Sequence, residues 1–310
     1  MALRAAVDVG GTKTRIEVFR EISVERPELC RVLDTPTEGE VLEKLAEAVV
    51  ELAGGKPIES VAVASPGPLD PVNGVVLNPP NLSRPWWELE ISAELGARLS
   101  SPVVLENDCN LGALGEAAFG AGHDHDSILY VTVSTGVGAG LIVNGQIFSG
   151  SRGLAGELGH TTVTDREFPC GCGRNGCVEA VASGTAIARQ ALRRGWKPLP
   201  GNGSVMDGSV TARDVARAAS AGEVEAREIL REAAGHLGRA LVNFIYAYDP
   251  DIVILGGGVA QSQIFFEMVQ RALSTEPIMP AFSHIPVRRA TLGERSVICG
   301  ARTLAERLVR

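Results

Sequence analysis

The chain has 310 residues, 45 % hydrophobic and 21 % charged, with a net charge of −8. These values suit a globular protein of two domains with a sizeable core, and exclude a disordered chain. The acidic balance and the lack of basic runs argue against a nucleic-acid partner. No window approaches ~18 uninterrupted apolar residues, so no membrane partner is expected either. Met1 leads straight into a β-type run without a signal-peptide pattern, and Cys30, Cys109 and Cys299 are scattered as reduced thiols would be. A cytoplasmic location is the expectation.

Residues 3–9 form a predicted buried strand ending in Gly10-Gly11-Thr12-Lys13-Thr14, before a second apolar strand from Ile16 to Phe19. Paired glycines let backbone N–H groups approach a phosphate, Thr12 adds a hydroxyl, and Asp8 is placed to hold Mg2+ through water. The spacing is not that of a Walker A loop, and taken alone a Gly-Gly turn is more often a plain hairpin.

Thr37 and Glu40 make a capping-box pattern ahead of Val41, Leu42, Leu45, Val49 and Leu52, which share one helical face. Val61 to Ala64 is a short strand running into Ser65-Pro66-Gly67-Pro68, a rigid loop of the kind that lines sites at strand ends. Val75 to Leu77 is another short strand, after which Pro79 and Pro80 hold Asn81 in place. Trp86 and Trp87 read as packing residues, with a sugar-stacking platform as the alternative. Val103 to Leu105 runs into Glu106-Asn107-Asp108 before a small-residue helix, Ala113 to Phe119. Asp108 stands either as a general base at a strand end or as the N-cap of that helix.

Ile128 to Ser134 is a β-branched strand that Thr135-Gly136-Val137-Gly138-Ala139-Gly140 turns into Leu141 to Val143. The N-terminal pattern recurs there, which points to a duplicated architecture with two phosphate-gripping hairpins. Helices are predicted over Gly184–Arg194, Ala212–Ala219 behind a Thr211-x-x-Asp214 cap, Glu223–Tyr248, about Ile264–Leu273, and Ser296–Val309, with a loop over Pro198–Gly208. A strand from Ile252 to Leu255 opens into Gly256-Gly257-Gly258, where glycines permit close approach of an adenosine.

The densest chemistry lies between Glu157 and Glu179. His160, Cys170, Cys172 and Cys177 offer one imidazole and three thiolates, the ligand set of a closed tetrahedral zinc site. Gly171, Gly173 and Gly176 are expected to let the backbone fold tightly around the ion. Four protein ligands leave no open position, so such a zinc is structural. Buried filler or a disulfide is the other reading, but three cysteines within eight residues make poor core and an odd disulfide count.

Taken together, Asp8-Val-Gly-Gly-Thr-Lys13, Glu106-Asn-Asp108, Ser134-Thr-Gly-Val-Gly138, Glu157-x-x-His160, Cys170-x-Cys-x4-Cys177-x-Glu179 and Leu255-Gly-Gly-Gly258 closely resemble the ROK family of sugar kinases and repressors. The resemblance implies an α/β, actin-like, hexokinase-type two-domain fold of duplicated ribonuclease-H-like domains with an inserted zinc loop. A small N-terminal domain, 1–115 plus 297–310, and a large one, 116–296, would meet a hexose and ATP in the cleft between them.

The resemblance further implies that Asp108 is the base accepting the proton of the sugar 6-hydroxyl. Gly67, Asn81, Asn107, Glu157, His160 and Glu179 would join it in binding hydroxyls. Asp8, Gly10, Gly11, Thr12 and Lys13, with Thr135, Gly136 and Gly138, would hold phosphates and Mg2+, and Gly257 and Gly258 the adenosine side. Glucose is the expected substrate and a homodimer the expected assembly. N-acetylglucosamine, N-acetylmannosamine, fructose or mannose kinases and a sugar-responsive regulator are the alternatives. The regulators carry a helix-turn-helix region ahead of the first hairpin, which here begins at Asp8.

Overall fold

The computed structural model describes residues 2–21, 29–197 and 210–309. The loop expected over Pro198–Gly208 lies outside them. In chain order the strands and helices are β1 Leu3–Val9, β2 Lys13–Phe19, β3 Leu29–Asp34, α1 Val41–Leu52, β4 Ile58–Ser65, β5 Leu69–Asp70, β6 Val75–Val76, α2 Ile91–Leu99, β7 Val103–Asn107 and α3 Asp108–Phe119. There follow β8 Ile128–Val133, β9 Val137–Val143, β10 Gln146–Ile147, α4 Val178–Ala182, α5 Gly184–Arg193, α6 Ala212–Ser220, α7 Val224–Tyr248, β11 Ile252–Gly256, α8 Gly257–Ala260, α9 Gln263–Thr275, β12 Val287–Arg289 and α10 Ser296–Arg307.

The chain divides into two compact units, Met1–Asp126 with Gly140–Gly156 and Glu294–Arg310, and Ser127–Ala139 with Glu157–Gly293. The boundary anticipated at 115/116 falls inside α3, which stays whole within the first unit.

The first unit holds a five-stranded sheet of order β3-β2-β1-β4-β7. β1, β2 and β3 pair antiparallel, and β1, β4 and β7 pair parallel, so the carboxyl ends of three strands share one edge. One face is aliphatic. Val7, Val9, Ile16, Val18, Val61 and Val63 pack with Leu42, Leu45, Val49, Ile91, Leu95 and the fully buried Trp86. The indole of Trp86 donates to Pro36 O at 2.7 Å, and Trp87 carries Arg84 4.3 Å over its ring, which supports the packing reading of both.

The other face is lined by small residues, Ala6, Ala62 and Ala64, and against it lies α10, which also packs on α3. The two helices approach to backbone contact. A Cβ on Gly115 would stand 2.0 Å from Ser296 O, and one on Gly300 1.8 Å from Leu111 O. Only glycine permits that approach.

In the second unit β8, β11 and β12 run parallel in the order β8-β11-β12, with β12 at the sheet edge. α7 is the central helix, packing against α4, α6 and α9 through Ile229, Leu230, Ala233, Leu237, Leu241 and Ile245. Among the described residues no helix is long and apolar enough to cross a membrane.

Several sequence expectations are corrected. Helix α1 is not opened by a Thr37 box, for its N-cap is Glu40 without a side-chain cap bond, whereas the Thr211–Asp214 box ahead of α6 forms in full. β3 was not anticipated because five of its six residues are exposed, and an edge strand of that kind has no apolar alternation. α3 begins at Asp108 rather than Ala113.

Candidate active site

The predicted site residues fall into two groups, one in each unit. In the first unit, register places Asp8, Ala64 and Glu106 in one row across β1, β4 and β7, and Ser65 beside Asn107 one residue further along. Asp8, the Ser65–Pro68 loop and Asn107-Asp108 therefore line the carboxyl edge of a parallel sheet, where α/β folds place ligands. Gly67 joins Pro68 through a cis peptide bond in that loop.

The structure separates the two readings of Asp108. The N-cap is Asn107, whose side-chain oxygen accepts from Cys109 N at 2.9 Å and Asn110 N at 3.3 Å. That leaves the amide N–H groups as what Asn107 can offer a ligand. Asp108 is the first residue of α3, with Oδ1 accepting from Cys109 N at 2.8 Å, and the positive end of the helix favours its carboxylate. Beneath them the buried Glu106 accepts from Asn107 N and Asn110 Nδ2, and burial pushes its carboxyl up. Its place at the end of an apolar run was its only sequence signal.

Burial pushes Asp8 from 3.8 up to about 7, and the Asp108 carboxylate adds to the shift. Both carboxyl groups lie at the carboxyl edge of the sheet, and the charge of one raises the other. The adjacent hairpin is tied down from behind. Gly10 N donates to Lys13 O at 3.0 Å, while Thr35 gives its hydroxyl to Gly10 O at 2.7 Å and its N–H to Thr12 O at 2.9 Å. Thr35 and its buried partner Thr14 carry no local sequence signal of this role. Gly11 lies against the backbone oxygen of Asn81, where a Cβ would come within 2.9 Å. Thr12 and Lys13 are exposed, and Lys13 Nζ meets Asp34.

In the second unit the ligand atoms of His160, Cys170, Cys172 and Cys177 all lie within 4.8 Å of one another. Cys172 Sγ stands 3.7 Å from Cys177 Sγ, and Cys170 Sγ 3.5 Å from His160 Nδ1. A tetrahedron with arms of about 2.3 Å to sulfur and 2.0 Å to nitrogen has edges of roughly 3.5–3.8 Å, so the donor set fits a zinc-sized ion, and the sulfurs are too far apart for a disulfide. Burial pushes Cys177 up to about 12, so its thiolate needs a neighbouring cation to form near neutral pH. The loop doubles back through isolated bridges, Thr162 with Cys177 and Pro169 with Asn175. Arg174 ties it across, donating to His160 O at 3.3 Å and Thr162 Oγ1 at 2.9 Å, a role its sequence position did not signal. Gly173 and Gly176 take positive φ, as tight folding requires, but Gly171 faces open space and has no such need.

The same loop grips the second hairpin. Glu179 Oε2 accepts from Val137 N at 3.1 Å, and Gly159 lies so close to Val137 O that a Cβ would come within 2.0 Å. At Gly136 a Cβ would stand 2.4 Å from Glu179 Oε2, so a side chain there would displace that carboxylate. Thr135 O accepts from Thr185, and Gly138 lies in β9. His160 Nε2 points the other way, 3.8 Å from the exposed Glu157 carboxylate. Gly257 opens α8 at φ +83°, with Val133 O 2.5 Å from where a Cβ would sit, so the turn itself demands glycine, while Gly258 borders open space.

The model of the ROK family matches residues 4–308. A glucokinase of Thermotoga maritima is 35 % identical over 288 residues, covering 89 % of this chain and 88 % of that protein. An N-acetylmannosamine kinase of Yersinia pestis is 34 % identical over 300 residues, 96 % of each. Among solved structures, a ROK family glucokinase from Streptomyces griseus in complex with glucose and AMPPNP superposes with a TM-score of 0.81 at 32 % identity, covering 99 % of this chain and all of that one.

Proposed function

The chain belongs to the ROK family and is a sugar kinase of that family; on that premise we propose that it transfers a phosphoryl group from ATP to the 6-hydroxyl of a hexose, with glucose preferred. The observation that carries the reading is the placing of Asp108. Asn107 takes over the capping of α3, and Asp108 stands at the carboxyl edge of the sheet beside Asp8 and the first glycine hairpin. A primary hydroxyl is a weak nucleophile, and a carboxylate that accepts its proton as the phosphoryl group arrives contributes roughly 10²–10⁴-fold. Asp108 is that base.

Asp8 suits Mg2+, whose charge would offset the two acids and the phosphates; Gly10 to Lys13, with Thr135, Gly136 and Gly138, would cradle phosphate oxygens, and Gly257 and Gly258 would border the adenosine. Zinc fits His160, Cys170, Cys172 and Cys177 and would act as a crosslink, its ion neutralising the thiolates. With Nδ1 turned to the cysteines, His160 keeps Nε2 for a sugar hydroxyl beside Glu157, while Gly67, Asn81, Asn107 and Glu179 complete the hydroxyl-binding set.

The choice of glucose is supported by the glucokinase relatives; the N-acetylmannosamine kinase at nearly equal identity keeps the N-acetylhexosamines as the second reading. A hexose panel with Mg·ATP decides between them: glucose 6-phosphate is the expected product, and a preference above about tenfold in kcat/KM for an N-acetylhexosamine overturns the glucose assignment.

A further inference from the structure

The face of the first unit's sheet beneath α10 carries charge where a core would carry aliphatic groups. In the β1–β2 pairing Asp8 stands opposite Arg15, and Ala6 opposite Glu17. Directly opposed residues present their side chains on the same face of a sheet, so Asp8, Arg15 and Glu17 share one face. Arg15 Nη1 lies 3.3 Å from Glu17 Oε1. The other oxygen, Glu17 Oε2, is in ion contact with Arg302 Nη2, and both of those side chains are fully buried. Arg302 belongs to α10, and its guanidinium stands 5.7 Å from the ring centroid of Phe19 at the far end of β2. The charges alternate along the file from Arg302 through Glu17 and Arg15 to Asp8, whose neighbour is Asp108.

A buried arginine–glutamate pair is a poor source of stability, because desolvation offsets the attraction and a well-packed apolar pair of similar volume does as well. Glu17 and Arg302 therefore call for another explanation, and the open end of the file supplies one. Arg15 is not sealed in. Its side chain is 35 % exposed, and it reaches from a strand that begins at the first glycine hairpin. A guanidinium presents several N–H donors in a rigid fork; with one edge held by Glu17, the rest of the fork keeps a fixed direction. α10 cannot drift from that position, because its backbone is seated on α3 at Gly115 and Gly300 and Ser296 donates to Glu116 Oε1 at 2.7 Å.

Resting on the sugar-kinase reading, we infer that Glu17 and Arg302 are positioning residues that hold the Arg15 guanidinium beside Asp8, where it presents a fixed positive charge to the terminal phosphates of the nucleotide. Phosphoryl transfer spreads negative charge over the equatorial oxygens, and a cation already in place stabilises it without reorganising. The C-terminal helix thereby takes part in nucleotide use.

The test separates packing from positioning. Arg302→Met alone removes the buried one of the two arginines on the Glu17 carboxylate and lowers Tm. Glu17→Met combined with Arg302→Met removes both charges and returns Tm to near the wild-type value. In that double variant kcat/KM for Mg·ATP falls about tenfold while KM for the sugar holds, Arg15→Met shows the same split at roughly 10²-fold, and Arg15→Lys falls between the two. Side-chain nitrogen NMR of the same proteins follows the Arg15 Nε–H, distinct in the wild type and averaged towards a solvent-exposed signal in the double variant. A double variant with wild-type kcat/KM for Mg·ATP overturns the proposal, as does an unchanged Arg15 signal. If the wild type phosphorylates no hexose, the kinase reading fails by itself, and calorimetry with Mg·AMPPNP together with the NMR signal still decides the placing of Arg15: weaker nucleotide binding in the double variant sustains it, and equal binding removes it.

Discussion

Asp8, Asn107 and Asp108 stand at the ends of hydrogen-bonded strands and on the first turn of a helix, whereas His160, Cys170, Cys172 and Cys177 stand on a loop joined by isolated bridges and a cross-loop arginine. The first group is held by a buried sheet and by helix backbones in contact, so its geometry precedes any ligand. The second is a loop rich in glycines and exposed polar residues, anchored by a few buried side chains, Leu158, Val163, Cys177 and Val178. A fold can fix catalytic groups with its own core, or it can add a metal to fix a loop that only a few core side chains hold. The two regions are expected to fail differently when disturbed.

The largest effect is expected in the first region. Asp108→Asn should lower kcat by about 10²–10⁴-fold while calorimetry finds glucose binding unchanged, because the lost interaction arises only as the proton moves. Near-normal turnover would show that the rigid edge carries no base. In the second region Cys177→Ser, or exhaustive chelation, should release about one zinc per chain, raise KM for the sugar by roughly 10–100-fold and lower Tm. Amide exchange should then quicken over residues 157–179 and stay slow in β1, β4 and β7. Exchange quickening equally in both regions would break the distinction between them.

A smaller effect sharpens the account of the rigid edge. Asp8 is held up to about 7 by burial and by Asp108, whereas the unfolded chain releases this proton near 3.8. The folded state therefore binds more protons between those values, and this group's contribution to stability falls as pH rises through that window and levels off above about 7. Asp8→Asn removes the penalty, so in metal-free protein the variant should gain on the wild type from pH 4 to 7 by urea titration, while losing use of Mg·ATP. A stability difference that stays flat across that range would place the Asp8 carboxyl near its ordinary value.

The contrast also accounts for what could be read in advance. The cluster of His160 and three cysteines was legible because its members are close in sequence on one loop, and both glycine hairpins because a turn and its strands are contiguous. The start of α3 was not. Cys109, Asn110 and Gly112 are weak helix formers, and that turn exists because Asn107 caps it and α10 packs on it. The two readings of Asp108 could not be parted by residue type, since aspartate serves equally as cap and as base.

By itself the order of residues determined the family, the alternation of strands and helices, the zinc-type ligand set and the two hairpins, because each depends on neighbours along the chain. Only the tertiary structure decided that Asn107 rather than Asp108 caps the helix, that Asp8 and Asp108 share an edge of one sheet, and that Arg302 reaches Glu17 from the far end of the chain. Burial, desolvation and the approach of charges depend on which surfaces meet in space, and residues as distant as 17 and 302 have no local pattern from which their contact could be read.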